Sequence, residues 1–241
     1  MLLLSLAIAP GIAICLYIFF KDQYNKEPRR HLIVSFFLGV LSAFIALGLQ
    51  LLLTPLHKAL MPQNIFSIAI FAYLVVALTE EWSKYIMVRY YAFPKKEFDE
   101  PYDGIVYSVM VGMGFATIEN IMYVMQHGYA TAFVRMFLSV PAHGTFAVLM
   151  GYSIGKAWIN YDRRIMYMML GLFWAVFFHG TFDFFLFLRE DQLVKQYVSE
   201  IMLFSGAVIS FAVAVWLSRR AIKEHVILSQ QIHGDNQNDN S

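Results

Sequence analysis

The chain predicts an all-α, polytopic transmembrane bundle, and three observations carry that reading. About seven stretches reach the ~20 mostly apolar residues that a membrane-crossing helix needs. Of the 241 residues, 59% are hydrophobic and only 15% are charged, against roughly 45–50% and 25% in soluble domains. Mean hydropathy is +0.56. This composition excludes a soluble globular enzyme, and no basic run points to a nucleic-acid partner. The lipid bilayer is the expected surrounding of every stretch.

The first stretch, residues 2–20, has no positive region before Leu2. It is expected to be a retained span, not a cleaved secretory signal. Cys15 within it is the single cysteine, so no intrachain disulfide can form. The second stretch is 32–54. The third, 65–88, starts apolar and then carries Glu80, Glu81 and Lys84. The fourth, 104–125, places the small residues Gly112, Gly114 and Ala116 before Glu119 and Asn120, which lets a neighbouring helix approach closely. The fifth, 132–156, holds His143 between Pro141 and Gly144, where a helix can bend. The sixth, 165–188, contains His179 and Asp183, and the seventh is 197–217. Connections are short, as between antiparallel neighbours. Residues 1–228 are read as one membrane domain. The polar residues 229–241 have no apolar period and are expected to form a disordered cytoplasmic tail.

Basic residues cluster on alternate connections: Lys21, Lys26, Arg29 and Arg30, then Arg89, Lys95 and Lys96, then Lys156, Arg163 and Arg164, then Arg219, Arg220 and Lys223. The other side has Lys58, Arg189 and Lys195. Positive residues favour the cytoplasm, so the N-terminus is expected outside and the C-terminus inside. Arg135 is read as an interfacial residue that snorkels to the membrane surface.

A charge deep in hydrocarbon costs about 3 kcal/mol on insertion scales, so intramembrane ionisable groups are functional candidates by default. Glu80, Glu81, Glu119, His143 and His179 are the candidate catalytic residues, supported by Lys84, Asn120 and Asp183. Lys84 is one turn from both glutamates and can pair with either. Asp183 is one turn from His179 and can fix its tautomer, leaving the other ring nitrogen for a metal, a water or an oxyanion. Counting helix rise from the span midpoints, Glu80, Glu81, Glu119, His143 and His179 lie within roughly 8 Å of mid-membrane. His31, His57, His127, His225 and His233 are placed outside the site. No HExxH or GxSxG signature is present, so no soluble motif assigns the reaction.

At these residues the chain resembles the PrsW family of polytopic membrane proteases. Glu80, Glu81 and Lys84 match the family's paired glutamates and following lysine. Phe115, Glu119 and Asn120 match an aromatic-xxx-Glu-Asn element, His143 a histidine in the next span, and His179 and Asp183 a final His-xxx-Asp element. APGI at 9–12, KDQYNKEP at 21–28 and FDEPYDGIVY at 98–107 also look like family sequence. The family resembles the wider group of CAAX prenyl endopeptidases and bacteriocin self-protection proteases. This chain departs from that group by Glu119 in place of a histidine and Asp183 in place of an asparagine.

The resemblance implies a multi-pass protein of the bacterial cytoplasmic membrane. It implies site-1 cleavage of a single-pass anti-sigma factor, which starts regulated intramembrane proteolysis. The expected reaction is peptide hydrolysis by water, with Glu81 or Glu80 as base. His143, His179 and Glu119 either hold Zn²⁺ or, in a metal-free glutamate protease, the histidines stabilise the oxyanion. The rival reading is a proton-coupled carrier or heptahelical sensor, since intramembrane Glu, His and Asp also build proton relays. No internal repeat is visible, which counts against a repeat-built carrier.

Overall fold

The computed structural model describes residues 2–22 and 24–238. Its helices are α1 (Leu2–Lys21), α2 (Arg29–Leu60), α3 (Ile65–Ala92), α4 (Pro101–Phe137), α5 (Ser139–Ile159), α6 (Arg164–Glu190) and α7 (Glu200–Asn238). No strand occurs among the described residues, as expected of an all-α bundle.

Among the described residues, six helical runs are long and apolar enough to cross a membrane. One of them, Pro101–Ile159, has 59 residues and would measure about 90 Å if straight, roughly three times the hydrocarbon thickness. It is not straight. Gly128 has φ 78° and ψ −158°, a left-handed setting that glycine alone adopts without strain. The chain turns there and again at Leu138, so that α4 and α5 fold back on each other. This one run therefore contains two of the expected spans.

Local chemistry sets the helix ends. The Asn64 side chain caps α3 by accepting from the Ser67 N–H at 2.8 Å. Glu100 and Asp103 form a capping box at the start of α4, with Pro101 in its first turn. Before α2, the buried Glu27 carboxylate accepts from the Tyr107 hydroxyl, which pins the α1–α2 connection to α4. Burial pushes the Glu27 carboxyl up to about 7.

The polar tail expected from Ser229 starts as a continuation of α7, which runs to Asn238. Lengthening an existing helix adds backbone hydrogen bonds without a new nucleation cost. Residues 239–241 of that tail lie outside the described residues.

Helix α4 is the centre of the bundle, packed by α1, α2 and α5. Small residues allow this. A Cβ on Gly104 would strike the Gly151 carbonyl and the Gly155 backbone, and one on Gly151 would strike Gly104 and Ile105. Gly104→Val is therefore expected to lower stability by at least the 1–3 kcal/mol typical of overpacking, because backbone must move. Gly48 has open space around it, so Gly48→Ala is expected to leave stability unchanged or raise it by up to about 1 kcal/mol. Thermal unfolding of both variants in detergent checks the contrast; equal melting would show that the α4–α5 contact yields.

Candidate active site

Helix α3 delivers the paired glutamates. Its Phe71–Ala77 stretch is π-helical, a rare geometry concentrated at functional sites. The next turns bring Glu80, Glu81 and Lys84 into the bundle, all buried. Lys84 Nζ is 2.7 Å from Glu81 Oε1 and 3.7 Å from Glu80 Oε2. It also lies 3.3 Å from His143 Nδ1 and 3.9 Å from the centroid of the Phe115 ring, so the ammonium is paired on every side that the site offers.

Helix α6 supplies His179. Its Nδ1 is 2.8 Å from Glu81 Oε1, and its Nε2 is 3.2 Å from Asp183 Oδ2 and 3.9 Å from Glu80 Oε2. Helix α5 supplies His143, whose Nε2 is 3.0 Å from Glu119 Oε2. The two imidazoles stand perpendicular with centroids 5.0 Å apart. Spans far apart in sequence thus converge, and all eight sequence-predicted site residues join one connected network. Asn120 joins at its edge: its side chain donates to the Ala7 carbonyl and accepts from Arg135.

These groups surround a cavity of ≈ 470 Å³ lined by Glu80, Glu119, His143, His179 and Asp183. Glu81 is not among its lining residues and is 1% exposed. It sits behind His179, where its carboxylate orients the ring and holds Lys84. His31, His57, His127 and His225 do not line this cavity. His233 lies outside the residues whose side chains are described.

A divalent metal fits this donor set. Glu80, His143 and His179 each offer one ligand atom, all within 4.8 Å of one another. Two imidazoles and one carboxylate form a known catalytic zinc set. Glu80 Oε2 is buried without a hydrogen-bond partner, a state that needs an explanation. Charge agrees: four carboxylates (Glu80, Glu81, Glu119 and Asp183) surround two fixed cations, Lys84 and Arg135. With neutral imidazoles the excess equals the charge of one divalent ion. The expected set had Glu119 as the carboxylate. In the structure Glu80 is the carboxylate grouped with the two histidines, and Glu119 pairs with Arg135 while touching His143 Nε2.

The partner of Glu119 is Arg135, at 2.6 Å from Nη2. Its Nε donates to Asn120 at 2.9 Å, and the guanidinium sits 4.2 Å from the Tyr123 ring centroid. Its side chain is 13% exposed and lines the cavity. The snorkelling role expected for Arg135 is therefore replaced by a site role. Gly128 explains the difference: the left-handed turn folds the short end of α4 back, so that Arg135 meets Glu119 sixteen residues earlier. Gln50 of α2 was also missed; its side chain donates to Glu80 Oε1 at 3.2 Å. A polar amide inside an apolar span was the available signal.

Residues 27–218, which hold every site residue named above, match the PrsW family intramembrane metalloprotease. Protease PrsW of Geobacillus kaustophilus is 38% identical over 188 residues, covering 78% of this chain and 81% of the relative. Protease PrsW of Bacillus subtilis is 39% identical over 186 residues, covering 76% and 82%. That of Clostridioides difficile is 34% identical over 193 residues, covering 78% and 80%. No solved structure matches. The carrier and sensor readings fall away, because relatives spanning most of the chain are proteases. Buried intramembrane carboxylates and imidazoles around one cavity, together with this similarity, establish a membrane-embedded peptidase that belongs to the PrsW family of intramembrane metalloproteases.

Proposed function

We propose that the protein hydrolyses a peptide bond of a single-pass membrane protein of the anti-sigma-factor type, at the outer boundary of the substrate's span. In this reading it makes the first cut of regulated intramembrane proteolysis in a bacterial cytoplasmic membrane. The observation that carries the chemistry is the convergence of Glu80, His143 and His179 at a cavity. The orientation rests on the basic connections, which place the Lys58 loop outside.

Glu80, His143 and His179 would hold Zn²⁺. When bound, the ion supplies an acidified water and polarises a carbonyl. Glu81 fixes His179 through Nδ1, as outer carboxylates do for metal-binding imidazoles. Lys84 holds the Glu81 carboxylate in place. Glu119 lines the cavity and touches His143 Nε2; it is the carboxylate that takes a proton from the attacking water and returns it to the leaving amine. Arg135 holds Glu119 in that position. The low-dielectric walls exclude bulk water and strengthen each of these interactions. A metal-free version has one supporting observation, the unpartnered Glu80 oxygen, which would then be the base.

The test is direct cleavage. Enzyme and a tagged anti-sigma-type substrate are co-reconstituted, and fragments are mapped by mass spectrometry. The expected product ends at the outer edge of the substrate's span. A cut on the cytoplasmic side would refute the orientation, and uncut single-pass substrates across a panel would refute the substrate class. Dialysis against a strong chelator is expected to stop cleavage, and added zinc to restore it. Full activity with less than stoichiometric metal would establish the metal-free version.

A further inference from the structure

A second cavity of ≈ 690 Å³ lies beside the catalytic one, and the two share Phe71 and Phe187 as walls. These rings are in contact, tilted by 50° with centroids 5.5 Å apart, and His57 packs on Phe71 at 5.3 Å. The same order appears on two helices. Along α3, Asn64 and Ser67 line the second cavity, then Phe71 lines both, then Val76 and Glu80 line the catalytic one. Along α6 the reverse order holds: His179 and Asp183, then Phe187, then Glu190 and Asp191. Phe71 and Phe187 are nine and eight residues from Glu80 and His179, about 12–14 Å of helix in both cases. The ring pair therefore lies at one level between α3 and α6, at the boundary that the two cavities share.

Beyond the pair the wall changes character. On the catalytic side the lining residues next to the rings along α3 and α6 are Val76 and Leu186. The second cavity presents His57, Gln63, Asn64, Glu190 and Gln192, side chains at the ends of α2, α3 and α6. A scissile bond within a helix is protected by the helix's own hydrogen bonds, so substrate must unwind before it is cut. An unwound segment exposes backbone N–H and C=O groups, and each needs a partner. Side-chain amides, an imidazole and carboxylates supply such partners. The second cavity reaches the connections after α2 and α6, which the basic-residue pattern puts outside.

We propose that the second cavity is a vestibule for an extended polypeptide segment, and that the Phe71–Phe187 pair is the gate through which it reaches the catalytic groups. This rests on the peptidase reading given above and adds the route and the selecting residues. The rings part to admit the segment and exclude water when closed. Being apolar and bulky, they also discriminate by size between the residues beside the scissile bond. Phe71 begins the π-helical stretch that leads to Glu80, so movement of the ring is linked through one helix to the catalytic carboxylate.

The test needs no cleavage. In a Cys15→Ser background, Val76→Cys places a thiol inside the gate and Gln63→Cys places one in the vestibule. A charged, membrane-impermeant methanethiosulfonate reagent is added to each face of sealed vesicles in turn. Gln63→Cys is expected to react fast from the outer face. Val76→Cys is expected to react slowly from that face, and about tenfold or more faster once Phe71→Ala or Phe187→Ala removes the gate. Should an alanine variant fail to fold, Phe187→Leu keeps apolar volume without the ring pair and is expected to give an intermediate gain. Unchanged Val76→Cys labelling in the folded variants, or labelling from the opposite face only, would overturn the gate.

A second arm measures kcat/KM for substrates with tryptophan or alanine beside the scissile bond. Opening the gate is expected to raise the tryptophan-to-alanine ratio about tenfold. An unchanged ratio would overturn the selecting role. Cleavage absent in every variant with gated labelling intact would refute the substrate proposal and leave the gate standing.

Discussion

Glu80→Gln and His179→Ala are each expected to abolish measurable cleavage, a loss of about 10³-fold or more, the scale of removing a principal charge-stabilising group. Each is also expected to lower bound metal from one ion per chain to near zero, read by elemental analysis of the purified protein. Glutamine keeps the shape of glutamate and its contact with Gln50, so abundance should persist. Glu81→Gln is expected to behave differently. Glu81 does not line the cavity and acts through His179 and Lys84, so its loss should cost about 10–100-fold in activity or metal affinity, as for outer-sphere partners. The sequence alone left the two adjacent glutamates equivalent. If Glu81→Gln removes metal and cleavage while Glu80→Gln spares both, the roles are reversed and the cavity is not the reacting space.

Arg135→Ala carries the second large effect. It leaves the Glu119 carboxylate without its cation at a site only 16% exposed, and a buried charge stripped of its partner is strongly destabilising. Partial water access reduces this, so a stability loss of about 1–3 kcal/mol is expected, together with a 10–100-fold fall in kcat. KM should move less, because in the proposed mechanism Arg135 holds the carboxylate that moves the proton and not the distant parts of a substrate. Arg135→Lys is expected to restore part of kcat, since the charge returns but the fork to Glu119 and Asn120 does not. Thermal unfolding and steady-state kinetics separate the two effects. Wild-type kcat and stability in Arg135→Ala would return the residue to the membrane surface role that its sequence position suggests.

Arg135 and Gly128 show where sequence reasoning stops. The glycine is visible in the sequence, but its left-handed conformation is a product of how α4 and α5 must pack. Only that turn brings the guanidinium to Glu119. Gln50 is similar: small residues bring the α2 and α4 backbones together at Gly39 and Gly114, and nothing local to Gln50 says which carboxylate it will meet. The vestibule and the Phe71–Phe187 pair have no sequence signal at all, since phenylalanine in an apolar span looks like packing.

What the sequence alone determined was the bundle, its helical spans and the polar residues that gather in it. Hydrocarbon explains this legibility. It demands internally bonded backbone, hence helices, and it makes each intramembrane Glu, His or Asp costly enough to stand out. The tertiary structure decided which atoms of those residues meet. It set Glu80 with both histidines, put Glu81 behind His179, and folded Arg135 back onto Glu119. Those choices depend on helix rotation and close backbone approach over ångström distances, and the free energy of a charge contact is settled at that scale.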